Sequence, residues 1–150
     1  MTKYSVYGTA GLAERPIPVR NSQNVYWEDF YDVSGKKLVE QYETRKLSCF
    51  SCPVHCSHWL KVGEGQFSGL EGEGYEFNTL CNWGSRITVA YQPAIIKLHV
   101  LCNQLGFDVD VPSVTIAWAM ECYQRKILTK EDTDGLELTW GNYEVAIELL

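Results

Sequence analysis

Three thiols fall within one short stretch, Cys49-Phe50-Ser51-Cys52-Pro53-Val54-His55-Cys56, with no fourth cysteine beside them. Cysteines three and four residues apart on a tight turn can direct several thiolates at one centre. That spacing suits a metal ion or an iron–sulfur cluster better than disulfides. A [4Fe–4S] cube takes four protein ligands, so a fourth must arrive from elsewhere. Such a site closes only when a distant segment folds back onto the loop. The competing structural reading is a zinc knot in which His55 or His58 completes a Cys3His set. A thioredoxin-type dithiol does not fit, because no β-α-β pattern surrounds the cysteines.

The remaining composition narrows the setting. The chain has 150 residues, enough for one domain with a proper core. Its net charge is −6 and no basic run occurs, which argues against a nucleic-acid partner. No stretch of about 18 apolar residues is present, so no membrane span is expected. Residues 1–7 lack a signal-peptide core, and a cytoplasmic location with reduced cysteines is the expectation. Cys102 and Cys122 lie in apolar helical contexts and read as buried free thiols. Cys81 lies closer to the cysteine loop.

The pattern along the chain is mainly α. Residues 1–22 carry Gly8, Gly11, Pro16, Pro18 and Asn21, and read as an extended arm lying over something else. Residues 23–150 read as a helical domain. Its first helix begins near Trp27, breaks near Ser34-Gly35 and resumes through Lys36–Tyr42. After the cysteine loop, residues 58–62 alternate and Gly63-Glu64-Gly65 turns. Gln66–Gly69 is then expected to return as a short β-hairpin. Residues 70–74 read as an acidic glycine-rich loop, and Tyr75 to Trp83 as a helix. Pro93 opens an apolar helix that Gly106 stops. Ser113 is expected to cap the next helix, which runs to about Arg125. Thr129 and Asp132 start a short turn, and Leu136–Trp140 alternates like a strand. Asn142 caps a last helix that reaches Leu150 without a stop signal, so the chain reads as a fragment truncated at its C-terminus.

Three further groups could carry chemistry. Asn103-Gln104-Leu105-Gly106-Phe107-Asp108 closes the apolar helix. It reads either as an ordinary glycine cap with a polar turn or as a loop whose Asn and Asp groups read a polar ring such as a pterin. Asp132–Glu137 has a similar spacing but reads as a surface turn. Glu71, Glu73 and Glu76 are the acid/base candidates, since a carboxylate beside a buried metal centre can move protons. The alternative is a solvated loop. His55 is expected to tune a cluster by a hydrogen bond rather than ligate it, and His99 to be a satisfied core residue.

Taken together, these segments resemble the aldehyde ferredoxin oxidoreductase family of tungsten or molybdenum pterin enzymes. The residues that carry the resemblance are Gly8–Gly11, Pro18–Asn21, the triplet Cys49, Cys52 and Cys56, Leu105–Asp108, and the string Ile127–Asn142. The likeness runs through nearly the whole chain in the expected order. It implies the helical middle portion of a larger enzyme, whose remaining domains supply the bis-pterin cradle and the fourth cluster cysteine. By the same resemblance Cys49, Cys52 and Cys56 hold a [4Fe–4S] cluster, and Asn103, Gly106, Phe107 and Asp108 match a pterin motif. Asn103 stands where that motif has its first Asp, and Phe107 where it has Leu. The family often carries G-P-E-Y-E after the cluster loop. Here the stretch is Gly72-Glu73-Gly74-Tyr75-Glu76, with glycine at the position of the first glutamate.

The function expected from the resemblance is oxidation of a small-molecule aldehyde to a carboxylate. Electrons would then pass through the cluster to ferredoxin or another electron-transfer protein. Glu76, with Glu73 as the lesser candidate, would handle the proton. A related reading is a subunit similar to class II benzoyl-CoA reductase, reducing an aromatic acyl-CoA. A third is a non-catalytic scaffold domain when the chain stands alone.

Overall fold

The computed structural model describes residues 3–13 and 17–150. Helices dominate: α1 (Lys3–Tyr7), α2 (Gly35–Tyr42), α3 (Phe77–Thr79), α4 (Gln92–Leu105), α5 (Asp110–Gln124) and α6 (Tyr143–Leu149). Two 3-10 segments, Thr9–Leu12 and Glu28–Val33, and a π-helical segment, Leu80–Ser85, complete the helical set. The strands β1 (Glu43–Leu47), β2 (Ser57–Lys61) and β3 (Glu71–Glu73) form one antiparallel sheet in the order β1-β2-β3.

Helix α4 is the centre of the core. Pro93 supplies its first turn and Gly106, at φ 76°, ends it in the left-handed conformation. Ala94, Ile95, Ile96, Leu98, Val100 and Cys102 are all buried along it. They join one apolar cluster with Leu80 and Trp83 from the π segment, Ala117 and Met120 from α5, and Val145 and Ala146 from α6. A fully buried Leu, Ile or Met contributes about 1.5–3 kcal/mol. Cys102 and Cys122 are buried free thiols within this frame, as their apolar contexts imply.

Several local expectations are corrected. The stretch expected as an extended arm coils instead: Lys3–Tyr7 is helical and Thr9–Leu12 is a 3-10 turn. Five residues are too few to hold a helix alone. A tertiary partner supplies what is missing, because the Lys46 ammonium donates to the carbonyls of Ser5 and Val6 at the end of α1. Met1, Thr2, Glu14, Arg15 and Pro16 lie outside the described residues. Val19 bridges Asn24, and the turn between them docks on the π segment through Arg20 N–H to the Ser85 carbonyl, 3.2 Å.

Strand β1 was not expected at all. Its residues are mostly exposed and charged, so no alternation marks it; pairing with β2 makes it a strand. The return strand is Glu71–Glu73 rather than Gln66–Gly69, which instead belong to the turn. The acidic stretch is thus partly sheet. The helix expected over Tyr75–Trp83 begins at Phe77 and widens to π geometry at Leu80. Ser113 does not cap α5. It lies buried inside the helix, and the Asp108 carboxylate accepts from the amides of Asp110 (2.8 Å) and Val111 (3.0 Å) instead. Leu136–Trp140 is irregular, pinned by buried Leu138 and by the Gly141 amide on the Ile87 carbonyl. The Ser34 break and the Asn142 cap stand as expected, with side chains accepting from Lys37 and Val145 amides.

Helix α2 approaches the 3-10 turn closely. A Cβ on Gly35 would lie 2.5 Å from the Ala10 carbonyl carbon and 2.7 Å from the Gly11 nitrogen. A Cβ on Gly63 would meet nothing within 4 Å. We expect Gly35→Ala to lose about 1–3 kcal/mol in urea unfolding, because backbone must shift. Gly63→Ala is expected to stay within about 0.5 kcal/mol of the parent.

Candidate functional site

The cysteine loop, residues 48–56, is the tip joining β1 to β2. The Cys52 amide donates to the Cys49 carbonyl at 3.1 Å. Ser51 (φ 57°) and His55 (φ 53°) adopt left-handed backbone on either side of Pro53, which folds the loop tightly. All three cysteines are free thiols; Cys49 is exposed, while Cys52 and Cys56 are half-buried. Burial pushes the Cys56 thiol up, and the charges of Glu76, then Cys52 and Cys49, add to the effect. The three sulfurs and one carboxylate therefore share a local field. Among the described residues, no three His, Cys, Asp or Glu side chains converge on a point that one ion could occupy. Zinc–sulfur bonds of about 2.3 Å need that convergence, whereas a polynuclear cluster spreads its ligands. His55 is exposed on the loop and stands apart from any such set.

The loop is anchored from behind. His58 on β2 is 2% exposed, and its Nδ1 bonds the Glu43 carboxylate at the start of β1. Its Nε2 has no hydrogen-bond partner among the described residues. The Gly8 backbone, at φ 62°, lies against this base: a Cβ there would sit 2.5 Å from the Cys56 carbonyl oxygen and 2.9 Å from His58 Nε2. Only glycine fits both the angle and the space.

The acidic candidates separate. Glu71 lies at the sheet edge, 4.0 Å from Lys61. Glu73 is exposed on β3 and accepts from the Ser57 hydroxyl at 2.8 Å. Glu76 is half-buried, and its Oε2 accepts from both the amide (3.3 Å) and the hydroxyl of Thr9. The Phe77 amide donates to the same hydroxyl at 2.9 Å. Gly74 is buried, and a Cβ there would lie 3.0 Å from the His58 carbonyl and 3.2 Å from Leu60 Cγ.

The Asn103–Asp108 loop sits at the α4–α5 junction, with Asn103, Gly106, Phe107 and Asp108 all exposed. Asp108 spends Oδ1 on the cap of α5. Asn103 Nδ2 meets His99 Nε2 at 3.2 Å, and His99 Nδ1 meets the Thr79 hydroxyl at 3.3 Å. Burial lowers the His99 pKa, while the Glu73 charge and backbone pull the other way. A neutral His99 thus accepts from Asn103 and donates from Nδ1. It is satisfied, as expected, and it joins the Asn103 loop to β3. The Asp132 turn is a surface turn whose carboxylate accepts from Thr129.

Sequence reasoning missed Thr9 and Glu43 as neighbours of the site, and named His58 only as a possible zinc ligand, where the structure makes it a buried anchor of the loop. Only the resemblance pointed to residues 8–11; neither Glu43 nor Thr9 carries a local signal, because each acts across a long separation.

The family model for aldehyde ferredoxin oxidoreductase, domains 2 and 3, matches residues 1–150. The chain belongs to this family. It is 31% identical over 145 residues to tungsten-containing aldehyde ferredoxin oxidoreductases from Thermococcus kodakarensis and Pyrococcus furiosus. Those matches cover 93% of this chain and 23% of each relative, so the chain spans about a quarter of their length. It is also 27% identical over 161 residues to the WOR-like subunit of an aliphatic sulfonate oxidoreductase from P. furiosus, covering all of this chain and 25% of that protein. The mainly helical architecture with a small sheet agrees with the fold expected from the sequence.

Cys81, in the π segment, is a useful contrast to the loop thiols. Burial pushes its pKa up to about 11, against the lowering effect of Arg86. Thiolate is the reactive form, so raising pH from 8 to 9 should speed iodoacetamide labelling of Cys81 about tenfold. Mass spectrometry should show exposed Cys49 labelled well before Cys81 at pH 8.

Proposed function

We propose that this chain forms the cluster-bearing part of a tungsten pterin oxidoreductase that oxidises an aldehyde to a carboxylate. The observation that carries this reading is the anchored hairpin tip with three free thiols and Glu76 beside it. The donor set fits a [4Fe–4S] cluster: Cys49, Cys52 and Cys56 would hold it, with a fourth ligand from the remaining domains of the parent enzyme. Asn103 Oδ1 and Asp108 Oδ2 are acceptors of the exposed loop that could read a pterin, and Gly106 lets its backbone turn there. When bound, the tungsten pterin supplies two-electron chemistry and the cluster relays single electrons to ferredoxin or a similar carrier.

Converting an aldehyde to a carboxylate takes up one water and releases two electrons and three protons. The chain's contribution is to place a proton acceptor and keep it in place. Glu76 is that acceptor, since one of its oxygens is fixed by Thr9 while Oε1 has no protein partner among the described residues. Glu73 is engaged by Ser57 and takes the lesser role.

The test is iron and acid-labile sulfide analysis with EPR on the anaerobically purified full-length protein. A reducible cluster signal lost in Cys52→Ala is expected; tightly held zinc without iron would overturn the cluster assignment. In a viologen-coupled assay with a panel of aldehydes and alkyl sulfonates, Glu76→Gln should lower kcat about 10²-fold or more. Glu73→Gln is expected to cost less than Glu76→Gln. Turnover confined to sulfonates would move the substrate class.

A further inference from the structure

Thr9 lies 67 residues from Glu76 in the chain, yet three hydrogen bonds tie them and the start of α3 together. The Thr9 hydroxyl accepts from the Phe77 amide, which orients its own proton toward Glu76 Oε2. The Thr9 amide converges on the same oxygen. Two donors on Oε2 fix the rotation of the carboxylate. The residue before Thr9 is Gly8, which rests on the Cys56 carbonyl and on His58 at the base of the cysteine loop. The same two-residue strap therefore touches the cluster loop on one side and the candidate proton acceptor on the other.

We infer that Thr9 is a positioning residue for Glu76, and that the Gly8–Thr9 strap sets where this carboxylate stands relative to the cysteine loop. The inference rests on the role of Glu76 proposed above. A hydroxyl is required at position 9, because only a group that accepts from Phe77 N–H and donates to Glu76 completes the arrangement. Valine matches threonine in shape and lacks both functions. Serine keeps both.

The experiment compares Thr9→Val, Thr9→Ser, Glu76→Gln and the Thr9→Val/Glu76→Gln pair in the full-length protein. Iron and sulfide content should match the parent in every variant. Thr9→Val is expected to lower kcat about tenfold or more with KM nearly unchanged, since a misplaced catalytic group costs rate rather than binding. Thr9→Ser should restore most of it. The double variant should be no slower than Glu76→Gln alone.

A second readout needs no turnover. Urea unfolding midpoints of the metal-free proteins form a double-mutant cycle in which the two losses should be non-additive. Additive losses, or a Thr9→Val enzyme with full kcat, would overturn the inference. So would loss of iron in Thr9→Val that serine does not rescue. Should Glu76→Gln itself keep full activity while the unfolding cycle stays coupled, the strap stands and the catalytic reading of Glu76 falls.

Discussion

Everything at the candidate site depends on the pairing of β1 with β2. A loop of three thiols, two left-handed residues and a proline has no reason of its own to hold a shape. The two strands clamp its ends, with Leu47 opposite Ser57 and a register shift between Glu43 and Arg45. The shift is at the point where Glu43 reaches the His58 imidazole. A buried imidazole is costly unless its nitrogens are engaged, so the Glu43 contact both stabilises β2 and fixes the strand that follows Cys56. Pairing with β3 then sets the next segment, because Trp59 faces Glu73 and the Gly74 amide donates to the His58 carbonyl. Glu76 and α3 are consequences of that register.

The parts legible in the sequence were those encoded locally. Pro93 and Gly106 bound α4, Ser34 breaks the second helix, and Asn142 caps the last, each by a side chain or backbone preference acting within a few residues. The cysteine triplet was legible for the same reason. What escaped was encoded across distance. Strand β1 is a run of charged, exposed residues whose only reason to be extended is β2. The expected cap at Ser113 lost to Asp108 because a carboxylate two residues before the first helical residue can accept from two free amides at once, whereas Ser113 is drawn into the buried face. The π segment at Leu80–Ser85 has no propensity signal; it is a packing solution that buries Asn82, Trp83, Gly84 and Ser85 together.

The site residues divide along the same line. Cys49, Cys52 and Cys56 share the hairpin tip between β1 and β2 as free thiols. Asn103 and Asp108 turn out to be partly employed by the fold, one with His99 and one as the α5 cap. His99 ties the Asn103 loop to Thr79 and lies beside Glu73, so the Asn103 loop and the acidic stretch share a polar connection through one half-buried ring. His99 and Asn103 are one helical turn apart on α4 and meet through that spacing alone, whereas Thr79 joins them only after α3 and α4 pack.

The glycine at position 74 is packed tightly between β2 and the segment that leads to Glu76. A side chain at 74 would press on the His58 carbonyl, His58 Cβ and Leu60 Cγ, at 3.0 to 3.2 Å. That space is taken by the β2 backbone at His58 and by the Leu60 side chain. A side chain at 74 would require the β2 backbone or Leu60 to give by a few tenths of an ångström. The carboxylates that flank this glycine diverge: Glu73 accepts from Ser57, whereas Glu76 is held by Thr9 within electrostatic reach of Cys56.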